Sequence, residues 1–448
     1  MMPFPLSADQ PVEHAGPLPD TADVVVIGAG VIGVMTAWEL AKAGHKVVLL
    51  EKGRVAAEQS SRNWGWIRAQ GRDPAELPIM VEAGAMWRQM AAEIGEDIGL
   101  RQTGVAYLAN DDKAMARYAD WLPHAQAAGV DSRLLSADET AQMFPEATTR
   151  WKGALWTASD MRAEPWVAIP ALARAAARDG VVIRENCAVR TLDIAAGRIS
   201  GVITEAGRIA TSAVVVAGGA WSSLFLRRHG VNIPQLSVRC TVAATAPLPQ
   251  IFDGGAGDSH LAFRRRQDGG YSLASPGFHE LFIGPDAFRA LPKFAKQLWD
   301  DPFGTRFCLT APKNFPDGWR TPRRWTADQV SPFEAMRVLN PAPHMGKVRA
   351  LTARFGATFP ALGEVEVKSV WAGMIDTMPD VVPIVDQAPA IPGLTIATGM
   401  SGHGFGIGPA FGRIAAKLVT GDAPGHDITR FRVSRFRDGS KIELGPTV

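Results

Sequence analysis

Apolar positions along this chain follow two periods, and the switch between them marks the architecture. Ala22-Asp23-Val24-Val25-Val26-Ile27 is apolar after its acid and reads as a buried strand. A glycine turn follows, then a helix over 31–43 that Gly44 ends, and a second apolar strand, Val47-Val48-Leu49-Leu50, closed by Glu51. Helical spacing returns over 78–99, at Ile79, Ala83, Met86, Met90 and Ile94. Segments 104–109 and 153–157 read as strands, and Pro165 opens a helix ending at Gly180. The period then becomes two: 181–187, 189–194, 199–204 and 208–216 predict a β-meander with turns at Gly197 and Gly207. Its last residues, Ala213-Val214-Val215-Val216-Ala217, are all apolar and run into Gly218-Gly219-Ala220-Trp221-Ser222. Residues 236–364 are less regular and rich in proline and aromatics. A strand over 394–398, a glycine-rich loop over 399–408 and a helix over 409–420 close the pattern.

Nucleotide-type elements thus lie at the start, middle and end. The fold class expected is α/β: a Rossmann-like domain with a β-meander, interwoven with an α+β domain built on a mainly antiparallel sheet. The expected division is an arm over 1–20; a discontinuous dinucleotide domain over 21–76, 165–235 and 365–437; a substrate domain over 77–164 and 236–364; and a tail over 438–448.

Composition narrows the function. The 448 residues exceed one simple core, and the net charge of +2 gives no footprint for nucleic acid. Cys187, Cys240 and Cys308 stand far apart in no metal spacing, which points to reduced thiols, no metal, and a cytoplasmic protein. No apolar run reaches transmembrane length, and the proline- and acid-rich start is not a signal peptide.

The chemistry begins at Gly28-Ala29-Gly30-Val31-Ile32-Gly33. The G-x-G-x-x-G spacing makes a tight turn, lets a pyrophosphate approach the backbone, and aims helix amides at its oxygens. Glu51 then sits where a carboxylate accepts from the adenosine ribose. With both flanking strands and the acid in place, the unit binds an adenine dinucleotide.

Three further features decide between NAD and FAD: the meander with a second glycine turn, the turn Ser60-Ser61-Arg62-Asn63, and Gly402-His403-Gly404-Phe405-Gly406 before the last helix. In this order, from about 21 to 437, they resemble the family of D-amino-acid oxidase, glycine oxidase and sarcosine oxidase. The segment Ser159-Asp160-Met161-Arg162-Ala163-Glu164-Pro165 resembles that family's approach to its middle helix. The resemblance implies FAD and hydride transfer from the carbon bearing an amine, giving an imine that hydrolyses. It implies FAD contacts from Lys52, Ser60, Ser61, Arg62, Asn63 and Trp64, adenine against the Val189 backbone, and close passage at Ala217, Gly218, Gly219 and Trp221. The loop 402–406 would face the pyrimidine side of the flavin. Family members that hold FAD covalently use a Cys or His near the ring; the C-terminal third lacks Cys and 60–66 lacks His, so non-covalent FAD is expected.

The amine must be neutral to assist hydride loss, and an aromatic pocket favours that form. Trp64, Trp66, Trp371 and Phe405 are candidates for its lining. Amino-acid-oxidising relatives usually clamp the carboxylate with an arginine near a Trp-Ala-Gly strand. Here that stretch is Trp371-Ala372-Gly373-Met374-Ile375-Asp376, without arginine. The alternatives are an arginine of the 264–266 triplet, with Arg264 and Arg265 foremost; Arg68 or Arg72; or a cationic substrate held by Asp376. His403 completes the candidate catalytic set. Partners expected are an amino acid or amine, an electron acceptor (dioxygen, a quinone or a carrier), and an optional second copy. A flavin-binding subunit of a larger dehydrogenase, and less favoured an NAD-dependent dehydrogenase, are the competing readings. Residues 289–299 form an amphipathic helix suited to a lid, a dimer contact, a membrane surface or plain packing. The basic and apolar alternation over 430–437 predicts a short extended segment.

Overall fold

The computed structural model describes residues 2–300 and 304–445; Met1 of the expected arm and 446–448 of the expected tail lie outside the described residues. Two large sheets organise the chain. The first has six strands in the order Ile384–Gln387, Leu394–Thr398, Ala213–Val216, Val24–Ile27, Val47–Leu50, Val182–Arg184. All neighbours are parallel except the edge strand Ile384–Gln387. Parallel strands covered on both faces need continuous apolar side chains, and Val24, Val25, Val26, Val47 and Leu49 are all buried. Helices Val31–Lys42 and Gly404–Thr420 cross at close quarters on this sheet. A Cβ at Gly412 would lie 2.5 Å from the Met35 Cβ, so glycine sets that approach.

The second sheet has ten strands, mostly antiparallel. Its longest pairing joins Leu236–Thr245 to Val367–Thr377. That places Val367–Thr377, expected within the dinucleotide domain, in the large sheet. Helix Met345–Thr358 packs on it through Phe355, beside Phe263, Tyr271 and Phe359.

Several sequence expectations are corrected. The meander is three-stranded, Val189–Ala195, Arg198–Thr204 and Gly207–Ala210. Val182–Arg184 leaves it to pair with Val47–Leu50. The strand expected over 208–216 is cut at Thr211, whose hydroxyl donates to the Asp23 and Ala213 carbonyls; Ala213–Val216 then joins the parallel sheet. The 78–99 helix spans Leu77–Glu93. The last helix begins at Gly404 rather than 409, with Pro409 inside it. The 430–437 segment is not extended: it forms 3-10 turns Thr429–Phe431 and Val433–Phe436, because Arg435 turns inward to a buried pair with Asp380 at 2.8 Å. The N-terminal arm drapes on the surface, with Arg54 donating to the Gln10 carbonyl and Glu185 accepting from the Glu13 and His14 amides.

Candidate functional site

A single cavity of about 620 Å3 runs from the first glycine turn to the strand Val105–Ala109 of the large sheet. Its nucleotide half is built on backbone. Gly28 has φ +100°, and a Cβ there would meet the Ala217 carbonyl at 2.6 Å. A Cβ at Gly33 would sit 1.8 Å from the Gly28 carbonyl; Gly33 therefore closes the turn from behind and is not on the cavity wall. Gly30, Val31 and Ile32 are on the wall. The helix Val31–Lys42 has no side-chain cap of its own; the Val31 amide donates to Ser60 Oγ at 2.9 Å. Glu51 takes the Ala29 amide at 2.9 Å and the Gly53 amide at 2.8 Å, and burial, countered by Lys52, pushes its carboxyl up. Val189, Ala217, Gly218, Gly219 and Trp221 complete this half.

These features fit an adenine dinucleotide. The cradle at Gly28 and Gly30 has room only while no Cβ is present: one at Gly30 would lie 2.9 Å from Ser60 Oγ. The helix N-terminus with the Gly28–Gly30 backbone before it, and the carboxylate Glu51, match phosphate and ribose respectively.

Other expected contacts have structural duties. Lys52 reaches the wall, yet its ammonium bonds to Glu58 at 2.6 Å and to the Met336 and Arg337 carbonyls. Ser61 is fully buried behind the wall. Arg62 donates to the Ala57 and Ala372 carbonyls and to Asn340, tying the turn to the Val367–Thr377 strand; burial lowers its guanidinium to about 10. Asn63 holds the turn through the Ser60 carbonyl and the Gly65 amide.

The other half is aromatic and basic. Trp64 and Trp66 meet edge to face at 5.2 Å, and Tyr107 tilts against Trp66 at 6.3 Å. Arg68 lies 5.2 Å from the Tyr107 ring, donates to the Gln70 carbonyl, and lines the cavity. Arg72 is 2 % exposed, lines the same end, and its Nη1 meets no acceptor. Burial and Arg68 lower its guanidinium to about 10. Gly406 packs against this stretch: a Cβ there would lie 3.2 Å from the Ile67 Cα and 3.4 Å from the Arg68 amide. Gly406 itself is off the wall, with its carbonyl on Trp87 Nε1.

His403 precedes the last helix, and Gly402, Gly404 and Phe405 flank it on the wall. Its Nδ1 lies 3.1 Å from Glu76, which is fully buried. Burial and the nearby Arg72 keep the imidazole neutral, down to about 4. Nδ1 then carries the proton toward Glu76 and Nε2 is an acceptor.

The arginine triplet is corrected. Arg264 turns inward, but both terminal nitrogens bond Glu164 at 3.0 Å and it does not reach the cavity. Arg265 points to the Leu248 carbonyl and over Tyr271, also away from the cavity. Trp371 likewise packs in a small core with Val242 and Ala244. Asp376 is on the wall, but its Oδ2 is engaged by the Gly399 amide at 2.8 Å, by Gln235 and by Thr398, in a polar cluster around the Gly219 carbonyl. Burial pushes its carboxyl up. Sequence reasoning missed Glu58, Gln235 and Glu76. Glu76 alone had a local signal, an acid four residues after Arg72 and just before the Leu77–Glu93 helix.

The comparisons agree with this geometry. The family model described as FAD dependent oxidoreductase (DAO) matches residues 23–418. Among solved structures, L-amino acid deaminase from Proteus myxofaciens in complex with anthranilate is 32 % identical, with a TM-score of 0.91 and 97 % of each chain covered. Glycine oxidase of Geobacillus kaustophilus is 26 % identical over 92 % of this chain and 97 % of that protein. Mitochondrial sarcosine dehydrogenase of Mus musculus is 26 % identical over 94 % of this chain, which spans only 42 % of that longer protein. The chain belongs to the DAO family of FAD-dependent oxidoreductases.

Proposed function

We propose that this chain oxidises the C–N bond of an α-amino acid, giving an imino acid that hydrolyses to the oxo acid. The observation that carries the reading is Arg68, with Arg72 behind it, at the aromatic end of the cavity. Among the described residues neither guanidinium has a carboxylate within 4.0 Å, whereas Arg264 does. Arg72 is buried and Arg68 half-buried; a guanidinium withdrawn from water without an anion is costly, and a substrate carboxylate resolves it. The 32 % identity to an L-amino acid deaminase across nearly the whole chain favours the L series.

Gly28, Gly30, Val31, Ile32 and Ser60 would hold the FAD pyrophosphate, Glu51 the ribose, Val189 the adenine side, and His403 to Phe405 the ring end, all without a covalent bond. When bound, the flavin accepts the two electrons. Arg68 orients the carboxylate. Trp64, Trp66 and Tyr107 exclude water and favour the neutral amine. His403, kept neutral beside Glu76, offers Nε2 as an acceptor. The two sheets support the division into a discontinuous dinucleotide domain and a substrate domain. The test is steady-state oxidation of L- and D-amino acids and carboxylate-free amines by the flavin-loaded chain with an artificial electron acceptor. Turnover confined to amines would point instead to Asp376 and an amine substrate.

A further inference from the structure

Asp160 is a buried carboxylate just behind the cavity wall. It immediately precedes the short strand Met161–Arg162, which pairs antiparallel with Trp66–Ile67. Ile67 stands opposite Met161, so one further step of that register sets Asp160 opposite Arg68. The Asp160 carbonyl accepts the Gly104 amide at 2.9 Å, and its Oδ1 accepts the Ala69 amide at 2.7 Å, directly after Arg68. Asp160 thereby fixes the backbone from which Arg68 reaches the cavity. Its Oδ2 is buried and meets no donor among the described residues. Gln70, two residues on from Arg68, carries a second buried acceptor, Oε1, that likewise meets none. A proton on Asp160 supplies a donor where two acceptors lack one.

Charge points the same way. Arg68 and Arg72 from the loop, and Tyr107 from the strand Val105–Ala109, act on Asp160. Glu76 and His403 act on Arg72 in turn. His403 is neutral and Glu76 is ionised: burial opposes the Glu76 charge, but His403 and Arg72 hold its carboxyl below the ordinary value. With Asp160 ionised, this end of the molecule balances two guanidiniums against two carboxylates. A substrate carboxylate is then a third anion withdrawn from water against two cations. Burial, countered by the Ala69 amide and Arg68, pushes Asp160 up to about 7, so it can take a proton near neutral pH and keep its bond to Ala69.

We propose that Asp160 is a positioning residue for the substrate's carboxylate: it holds Arg68 in place through the Ala69 amide and takes up a proton from water as the carboxylate docks. The proposal rests on Arg68 as the anchor.

The test uses the FAD-loaded protein and benzoate, a carboxylate with no amine to oxidise and no titration of its own near neutral pH. Perturbation of the flavin absorbance follows its binding. Wild-type affinity should fall about tenfold or more between about pH 6.5 and about pH 8.5. Binding near neutral pH should take up a proton, read from calorimetric heats in buffers of different ionisation enthalpy. Asp160→Asn keeps an oxygen for the Ala69 amide and removes the charge; its benzoate affinity should be flat across that range, without proton uptake. Asp160→Ala loses the oxygen as well and should bind benzoate about tenfold more weakly than Asp160→Asn at every pH, with FAD content unchanged. Arg68→Met is the control for the anchor: unchanged benzoate binding there would overturn both the anchor and this proposal. Weakened binding there, with no pH dependence and no proton uptake in the wild type, would overturn this proposal alone, a result that needs no Asp160 variant to fold. Proton uptake that persists in Asp160→Asn would assign the proton to another group, such as His403, and overturn it too.

Discussion

Arg264 and Glu164 form a two-pronged ion pair, 3.0 Å at each prong, with both side chains almost wholly buried. It pins the hairpin of the large sheet to the start of the helix Pro165–Arg178. Glu164 also takes the Gln267 amide at 2.8 Å, so the carboxylate's acceptor capacity goes to holding structure.

The first prediction follows from that pair. Arg264→Met alone strands a buried carboxylate and should destabilise the fold by about 3–5 kcal/mol. Replacing both partners with apolar residues should recover much of the loss. Denaturant melts of the two single variants and the double variant check this. A stable Arg264→Met with weakened substrate affinity would return the arginine to the active site.

The dinucleotide half makes a second prediction. Glu51→Ala should weaken FAD binding by about 1.5–3 kcal/mol, through loss of hydrogen bonds to a charged group. Equilibrium dialysis of the deflavinated chain measures it. Acid or heat should release FAD from the wild-type protein; flavin that stays on the denatured chain would contradict the non-covalent site.

A third prediction concerns pH. His229 accepts the Leu192 amide at 3.2 Å, and burial lowers its imidazole from 6.5 to about 4. The unfolded chain therefore binds this proton first as pH falls. The neutral histidine imposes no penalty above pH 6.5, and stability is lost progressively as pH drops from 6.5 toward 4. His229→Gln keeps an acceptor and removes the titration, so its stability should fall less across that window. Parallel slopes for the two proteins would show that the imidazole is not held neutral.

How far the sequence carried can be judged from particular residues. Gly28, Gly30, Glu51 and the second glycine turn were legible because a strand, a turn and a helix only tens of residues long define them. The anchor was not. Nothing local in the 264–266 triplet marks Arg264 as already paired: its partner Glu164 lies a hundred positions away in sequence. Arg68 and Arg72 follow the turn 60–66 closely, but Arg68 lines the cavity beside Tyr107, which comes from a separate strand of the large sheet. Pro409 misplaced the last helix start because proline reads as a first-turn signal, whereas here a full turn precedes it. The fused strand over 208–216 hid a switch between sheets at Thr211, whose hydroxyl donates to the Asp23 carbonyl.

The most direct measurement is anaerobic mixing of the flavin-loaded protein with L-amino acids, D-amino acids and carboxylate-free amines, followed by the loss of oxidised-flavin absorbance, in the wild type and in Arg68→Met. The account predicts bleaching by L-amino acids, and a loss in Arg68→Met of about 2–5 kcal/mol in transition-state binding with FAD content unchanged. Bleaching by amines alone, or equal bleaching by amino acids in both proteins, would contradict it.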